Sequence, residues 1–493
     1  MHKGAVTLFA LALLATPFLL KLEPVLSSSE AVENSWVSKA PIPQGKSNFG
    51  LAVVNGKIYA IGGQIRNYVQ SWTRGFSGIR ESVNSHYEYN PANDTWISRP
   101  TIPTPRHSFA TAVYEDTIYC IGGVKYNLSY DYRVTVTTAV EAFNISTNKW
   151  ENKTSMPTRR ENFVTTVYDH YIYCVSEGKN EVYNIATDTW QTKTPMPFNE
   201  SWATANVVNS KLYLTFDSLM YVYNPATDSW TTKAPVQTNN YGTVSAVIDD
   251  KIYFMSANLT QIYDTETDTV SLGAPPPPYF SAGVALTTTG EMAPRRIYIL
   301  GETPKVYDPE TDSWTTGAKM LTPRDNVCYA VVNDKIYAIG GNTLNTLPGV
   351  LPIYPDISVM QYAANEEYTP FEYGTAPPKI SVISPENKNY NVSSMSLVFT
   401  LNRLAAWIGY SLDGRDNVTV NGNTTLDGLS NGLHNVTVYA EDSLGNMGAS
   451  ETVSFTVEMP FPTAIVVASA IIVSVIGLGL LVYFKKRRVK SGG

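Results

Sequence analysis

The chain of 493 residues is poor in cysteine, with only Cys120, Cys174 and Cys328. An odd count on strand-like segments favours small core residues over a disulfide framework. Acidic and basic residues nearly balance, 43 against 36, and a net charge of −7 argues against a nucleic-acid partner. The sequence also lacks a nucleophile elbow, a phosphate-binding loop and any metal-ligand spacing, so we expect no metal and no cofactor.

What the sequence does contain is one unit repeated seven times. Each unit has a strand marked by Ile-Tyr, once Leu-Tyr, which ends near a glycine pair where the repeat is well kept. A turn related to Tyr-(Asn/Asp)-Pro-x-Thr-Asp-x-Trp follows downstream. The strand signals are Ile58-Tyr59, Ile118-Tyr119, Ile172-Tyr173, Leu212-Tyr213, Ile252-Tyr253, Ile297-Tyr298 and Ile336-Tyr337. The shortest units hold about forty residues, enough for four short strands and too few for a domain. The units must therefore pack against one another, as a stack or as a closed ring.

The turn residues have separate roles. In Asn90-Pro91, Asn224-Pro225 and Asp308-Pro309 the first side chain can accept a hydrogen bond from the backbone two residues on. Proline then sets φ for the second position of a type I turn. Glycine pairs such as Gly62-Gly63 and Gly340-Gly341 end the preceding strand, where a positive φ or close backbone approach is needed.

These positions together resemble the kelch repeat, over about residues 31–376. The resemblance implies an all-β β-propeller with four strands in each blade, and the count of seven units predicts seven blades. The segment Ser35-Trp36-Val37-Ser38 repeats the last strand of a unit without the rest of it. We expect it to complete blade seven and close the ring; a rival for that position, around Tyr368–Phe371, matches less well.

The segments outside the repeats predict a membrane-anchored surface protein. Residues 1–30 contain an apolar run typical of a signal peptide, either cleaved or retained as an anchor. Residues 377–459 alternate in polarity between turns, as in a small Ig-like or fibronectin-like β-sandwich. Residues 460–484 are long and apolar enough for one transmembrane helix, and residues 485–493 form a basic tail expected on the cytoplasmic side.

This arrangement places the bulk of the chain outside the cell on a single C-terminal anchor. It resembles the architecture of surface proteins of prokaryotes, archaea among them, by analogy at the level of the family.

Three units are longer than the others, and each is extended just after its glycine pair. The insertions are residues 64–86, 124–139 and 342–358, in blades one, two and seven. In a closed ring these blades are neighbours, so we expect the insertions to form one continuous rim on one face. Their aromatic side chains are candidate ligand contacts, with packing among themselves as the alternative. The candidates are Tyr68, Trp72, Tyr130 and Tyr132.

Cations recur in the loop before the innermost strand of four blades. They are Lys46, Arg106, Arg160 and Arg324, in blades one, two, three and seven. A guanidinium suits a carboxylate or a phosphate, so these residues are also candidate ligand contacts. The alternative is that each one bonds the backbone of neighbouring strands.

The favoured function is a binding or adhesion module for an acidic glycan or an acidic surface protein. The alternative is a carbohydrate-modifying enzyme of the kelch type, such as a sialic-acid mutarotase. Four carboxylates near the rim could act as acid or base, but no spacing singles out a pair. They are Asp131, Glu161, Glu200 and Asp325. The copper site of kelch-type oxidases is not expected, because only His107, and at most His86, could reach the rim.

Overall fold

The computed structural model describes residues 32–71, 75–126, 134–161, 163–198, 204–216, 218–237, 242–278, 283–351, 354–459 and 463–490. The chain divides into two compact units, Met1–Val32 and Glu33–Gly493, and every contact discussed below lies within the second. The predicted signal segment, residues 1–30, lies outside the described residues.

Seven four-stranded antiparallel sheets carry the repeats, one sheet for each unit. The strands are, in blade one, Gly50–Val54, Lys57–Ile61, His86–Asn90 and Thr95–Arg99; in blade two, Ala110–Tyr114, Thr117–Ile121, Val140–Asn144 and Lys149–Lys153; and in blade three, Val164–Tyr168, Tyr171–Ser176, Lys179–Asn184 and Thr189–Thr192. In blade four they are Thr204–Val208, Lys211–Phe216, Leu219–Asn224 and Ser229–Lys233, and in blade five Val244–Ile248, Lys251–Ser256, Leu259–Asp264 and Thr269–Gly273. In blade six they are Val284–Thr287, Ile297–Leu300, Lys305–Asp308 and Ser313–Thr316, and in blade seven Cys328–Val332, Lys335–Ile339, Asn365–Thr369 and Ser35–Ser38.

The ring is closed, since the first strand of blade one contacts the first strands of both blade two and blade seven. Apolar side chains of adjacent blades share cores; Ile61 of blade one, for example, packs with Phe109 and Ile118 of blade two. The predicted seven-bladed β-propeller is therefore the observed architecture. The three cysteines are unpaired. Cys120 and Cys174 are buried, as expected of small core residues, whereas Cys328 is partly exposed.

The repeated turn links each blade to the one before it. Asn90 Oδ1 accepts the N–H of Ala92 at 3.1 Å, the predicted Asx contact. Asp94, with φ of 52°, accepts the hydroxyl of Tyr89 at 2.7 Å and the N–H of Ala40 at 2.8 Å. Trp96 donates its indole N–H to the carbonyl of Ala40 at 2.8 Å. Where a unit keeps both residues, the Asp and Trp of its turn thus hold the chain of the preceding unit. Blade two has Asn148 in place of the Asp, and blade five has Val270 in place of the Trp.

The N-terminal strand closes the ring through the same hydrogen bonds that the repeated turns make. Trp36 pairs in register with Tyr368 and donates its indole N–H to the carbonyl of Ala318 at 2.9 Å. Asn34 takes the place of the turn aspartate, because its Oδ1 accepts the hydroxyl of Tyr368 at 2.9 Å and the N–H of Ala318 at 2.7 Å. The prediction that Ser35–Ser38 completes blade seven is confirmed, and Asn365–Thr369 is the third strand of that blade.

Residues 380–457 form two further sheets around a shared apolar core that includes Leu397, Val438 and Phe455. The strands are Ile380–Ser384, Met395–Leu401 and Thr424–Leu426 in one sheet, and Asn389–Tyr390, Val453–Val457, Gly432–Glu441, Trp407–Leu412, Val418–Thr419 and Met447–Ala449 in the other. This is a small β-sandwich, and its Ig-like classification stays a prediction.

One helix, Thr463–Lys490, ends the described chain. Within the part of the chain that the structure describes, no helix qualifies by length and apolar character as a membrane span.

Candidate functional site

The insertions of blades seven and one join into a single four-stranded sheet above the ring. Its strands, in spatial order, are Asn342–Leu351, Tyr354–Gln361, Gln64–Ser71 and Gly75–Ser82. The central contact is antiparallel, with Val69 opposite Ser358. We call this the insertion sheet. Stretches nearly 300 residues apart in sequence are adjacent here because the ring closes between blades seven and one.

The insertion of blade two forms a hairpin, Val124–Tyr126 with Val134–Val136, that packs against the strand Gly75–Ser82. The N–H of Tyr126 donates to Ser82 Oγ at 3.0 Å, which connects the two insertions directly. The insertion sheet and this hairpin together are the insertion face. The prediction that the three insertions lie side by side on one face is confirmed.

A cluster of polar and aromatic groups lies between the hairpin and the sheet. The guanidinium of Arg80 lies 4.6 Å from the ring centroid of Tyr126 and donates to its hydroxyl at 2.6 Å. Arg66 donates to the same hydroxyl at 3.4 Å. His107 stacks on Tyr126 with centroids 4.6 Å apart, and its Nδ1 lies 2.9 Å from Ser82 Oγ. Two cations and three hydrogen-bonding side chains thus converge at one point of the face.

The protonation state of His107 follows from this environment. Burial, followed by the positive charges of Arg66 and Arg80, lowers the pKa of His107 to about 4. The imidazole is therefore neutral at pH 7, and the net charge of the cluster comes from the two arginines. Among the residues described, neither arginine has a carboxylate within ion-pair distance.

The four cations singled out from sequence lie inside the blades rather than on the surface. Their exposed fractions are 0% for Lys46 and Arg106, 3% for Arg160 and 8% for Arg324. This burial corrects the expectation that the four side chains present their charge to a surface ligand, although Arg324 also borders a cleft described below. The bonds that hold them are the backbone contacts considered as the alternative.

Each buried cation bonds the carbonyl that lies fourteen residues further along the chain, on the second strand of its own blade. The acceptors of Lys46, Arg106, Arg160 and Arg324 are the carbonyls of Ala60 at 3.1 Å, Cys120 at 2.8 Å, Cys174 at 2.6 Å and Ala338 at 2.8 Å. A glutamate on the third strand faces each arginine. The pairs are Arg106–Glu141, Arg160–Glu181 at 2.9 Å and Arg324–Glu366 at 3.0 Å. These groups tie the inner strands of a blade together.

Of the four aromatic candidates, the structure describes only Tyr68. Tyr68 lies on the strand Gln64–Ser71 of the insertion sheet, with its backbone opposite Val359. Trp72, Tyr130 and Tyr132 lie outside the described residues, so their role as ligand contacts stays a prediction. Arg66, Arg80 and Tyr126 lie in insertions whose side chains the sequence places on the rim. Their convergence with Ser82 and His107 was not foreseen, because it depends on contacts between different insertions.

Two clefts flank the insertion face. The larger, of about 970 Å³, lies between blades six and seven and is lined by residues that include Glu302, Arg324, Tyr329 and Leu344. We call it the six–seven cleft. The smaller, of about 350 Å³, lies between the blade-two hairpin and blade three. This two–three cleft is lined by Lys125, Thr135, Val136, Thr137, Thr138, Pro157 and Arg159. Two cations and three hydroxyls line it, without a carboxylate among the described residues.

Of the four acid–base candidates, the structure describes two. Glu161 and Asp325 are exposed, while Asp131 and Glu200 lie outside the described residues. His86 is 1% exposed, and burial lowers its pKa to about 3. Within the described ranges, no three His, Cys, Asp or Glu side chains are grouped so that they could hold a metal ion.

Comparison with known proteins supports the reading of the repeats. Residues 45–103 and 105–157 match the Kelch motif family. The chain is 30% identical over 152 residues to the Kelch-like protein terF of Aspergillus terreus, covering 30% of this chain and 31% of that protein. It is 30% identical over 94 residues to human Kelch-like protein 33, covering 19% of this chain and 15% of that protein. The chain therefore spans less than a third of the length of these relatives.

Among solved structures, that of YjhT is similar, with a TM-score of 0.39 and 12% identity, over 66% of this chain and 99% of that one. The motif matches show that the chain contains kelch repeats at residues 45–157, and the kelch-like relatives agree with this.

Proposed function

We propose that this kelch-repeat protein is a surface-tethered recognition module whose insertion face binds an acidic ligand, either a glycan or an acidic stretch of another protein. The observation that carries the proposal is the assembly of all three insertions, from blades seven, one and two, into one continuous surface. Insertions of this length in an otherwise regular ring are commonly functional.

The acidic character of the ligand is supported by the cations that remain available after the four buried ones are set aside. Arg66 and Arg80 are half-buried beside Tyr126, and Lys125 and Arg159 line the two–three cleft. No ion pair ties any of the four to a carboxylate in the described parts of the chain. An anionic ligand would supply the missing partner, with the threonine hydroxyls of the cleft as further donors.

The tether is supported by the C-terminal helix. Its side chains from Ile471 to Phe484 are mostly apolar, and the large ones are exposed, with Leu481 and Val473 both at 69%. Exposed apolar side chains around a helix are stable in a hydrocarbon environment and costly in water. The basic run that begins at Lys485 favours a cytoplasmic end for the helix. Resistance of the chain to extraction from membranes at alkaline pH would support this tether, and release into the soluble fraction would contradict it.

The binding proposal is tested with the full-length chain in detergent. The probes are immobilised sulfated, sialylated and neutral glycans, together with a poly-glutamate peptide. Reversal of the cleft charges in the double variant Lys125→Glu, Arg159→Glu is expected to weaken binding of the acidic probe at least about tenfold, since two charge-assisted contacts become repulsive.

The matched control is the double variant Lys211→Glu, Lys251→Glu. It makes the same charge change on exposed side chains of blades four and five, at the end of each blade that lies away from the insertion face. Binding by the control should stay within about twofold of the unaltered chain. An equal loss in both double variants would mean that only the overall charge matters, and the insertion face would not be the site.

A further inference from the structure

The three insertions begin with the same backbone pairing. The residue after each glycine pair exchanges two main-chain hydrogen bonds with the loop before its own blade. Gln64 does so with Ser47 at 2.9 and 3.1 Å, Val124 with His107 at 2.8 and 3.0 Å, and Asn342 with Asp325 at 2.8 Å in both directions. Alternate residues of a strand direct their main-chain groups to the same side. The residue two positions further on, Arg66, Tyr126 or Leu344, therefore offers its N–H on that side.

At two of these three positions the neighbouring insertion accepts that N–H. The N–H of Arg66 donates to Gln361 Oε1 at 3.1 Å, and that of Tyr126 donates to Ser82 Oγ at 3.0 Å. Gln361 and Ser82 each lie on an extended strand of the preceding insertion around the ring. At blade one the strand of the preceding insertion also pairs main chain to main chain, whereas at blade two the contact is made by the side chain of Ser82.

At blade seven, no described residue lies beside the N–H of Leu344 as Gln361 and Ser82 lie beside the equivalent N–H groups of blades one and two. Blade six connects Leu300 to Lys305 through only four residues, 301–304, and so supplies no strand. The bond from the Tyr362 N–H to the Gly341 carbonyl sets the alternation of this pairing, so the N–H of Leu344 points away from the strand Tyr354–Gln361. No other acceptor for it is found in the described ranges. The space beside it is the six–seven cleft, and the side chain of Leu344 is 57% exposed.

The edge of the strand Asn342–Leu351 that faces the six–seven cleft has a sequence suited to pairing with another strand. The sequence from Asn342 to Leu347 contains neither a charge nor a proline, the features that normally protect exposed strand edges. Beyond it, Pro348 and a register shift between Leu347 and Leu351 interrupt the edge. The stretch able to pair is therefore short and lies where the cleft is.

We propose that the six–seven cleft binds an extended peptide segment of a partner protein, which adds as a strand beside Leu344. The occupant is inferred from the molecule itself, because the strand Tyr354–Gln361 fills the equivalent place at blade one. Main-chain hydrogen bonds would hold such a peptide, and the cleft, at about 970 Å³, has room for its side chains. This site is distinct from the cationic surface proposed above.

The test uses the full-length chain in detergent and a phage-displayed panel of random eight-residue peptides. Leu344→Pro removes the outward N–H without removing a ladder hydrogen bond, a change that an edge strand tolerates. Leu344→Ala is the matched control, because it shortens the side chain and keeps the N–H. Selected peptides should bind Leu344→Pro at least about tenfold more weakly than Leu344→Ala, as expected for loss of a main-chain contact.

A second measurement does not depend on the stability of the proline variant. Each selected peptide is made in two N-methylated forms, blocked at odd or at even positions. Strand addition predicts that one form loses binding about tenfold or more and the other retains it, because alternate N–H groups face the edge. Equal behaviour of the two forms, or no peptide sensitive to Leu344→Pro, would overturn the proposal.

Two further measurements distinguish a peptide partner from self-association and from the acidic-ligand site. If Leu344→Pro alters only self-association in sedimentation, the edge pairs with a second copy of the chain and the proposed peptide partner is wrong. Binding of the acidic probe should be the same in Leu344→Pro and the unaltered chain, so failure of this inference and failure of the proposed function are distinguishable.

Discussion

Lys46 lies with its ammonium nitrogen 5.0 Å from the ring centroid of Tyr87, at the place where an arginine of blade two meets a glutamate. Tyr87 pairs with Ala60 in the same register in which Glu141 pairs with Cys120. Blade one therefore buries a lysine whose ammonium faces an aromatic ring and donates to three oxygens, the carbonyls of Ala60 and Ser85 and Ser85 Oγ, in place of a carboxylate. Burial lowers the pKa of Lys46 from 10.5 to about 7.

This lysine predicts a pH dependence of stability. The folded pKa lies below the unfolded one, so the unfolded chain binds more protons between pH 7 and pH 10.5. Stability should therefore rise with pH in that window, by at most about 1.4 kcal/mol per pH unit. Urea unfolding of the full-length chain in detergent at pH 7, 8 and 9 measures it. Lys46→Met should remove this part of the slope, and an unchanged slope would show that Lys46 keeps its charge.

The buried pair Arg106–Glu141 predicts a large effect of removing one partner. In Glu141→Gln the guanidinium, which is 0% exposed, loses its counter-charge. The free energy of unfolding should fall by about 3–5 kcal/mol. The control Glu151→Gln lies on the adjacent strand, with a side chain that is 63% exposed, and should change stability by no more than about 0.5 kcal/mol. Similar small losses in both variants would contradict the structural role of these cations.

Ring closure predicts a specific weakness at Asn34. Asn34→Ala leaves the hydroxyl of buried Tyr368 and the N–H of Ala318 without their acceptor, which should cost about 2–4 kcal/mol. Asn93→Ala is the control, because Asn93 is exposed and accepts only the hydroxyl of Thr95. Thermal unfolding should separate the two variants clearly. Equal melting temperatures would mean that the N-terminal strand contributes little to closure.

The contacts of Asp334 predict that this residue holds the segment 289–293 of blade six in place. Its carboxylate is fully buried and accepts the N–H groups of Thr289, Glu291, Met292 and Ala293 at 2.5–3.0 Å. In Asp334→Ala these donors lose a charged acceptor, so we expect a loss of about 3 kcal/mol or more. Hydrogen exchange should rise first at residues 289–293. Unchanged exchange there would show that the loop is held by other contacts.

Much of the fold was predictable because the signals were local. The Asx turn at Asn90 and the strand signal at Trp36 depend on residues within a few positions of each other, and the structure bears out both. The clustering of the insertions was also predictable, since closure of seven units makes blade seven a neighbour of blade one. The joint sheet was not foreseen, because the pairing of Val69 with Ser358 depends on partners far apart in sequence.

The site was predicted less well, for a physical reason. An arginine near a strand end has the same sequence signature whether it faces solvent or a buried glutamate. Only the third-strand partners, such as Glu141 and Glu366, distinguish the two, and they come from a different part of each unit. The open edge at Leu344 was equally hidden, since it depends on the absence of an insertion in blade six.

Hydrogen–deuterium exchange of the full-length chain, with and without an acidic ligand from the binding panel, tests the recognition surface most directly. We predict protection in residues 64–82 or 124–136, which carry Arg66, Arg80 and Lys125, with exchange unchanged in the hairpins around Asn55, Glu115 and Asp249 on the opposite face. Protection confined to those hairpins or to the sandwich, residues 380–457, would contradict the assignment of ligand binding to the insertion face.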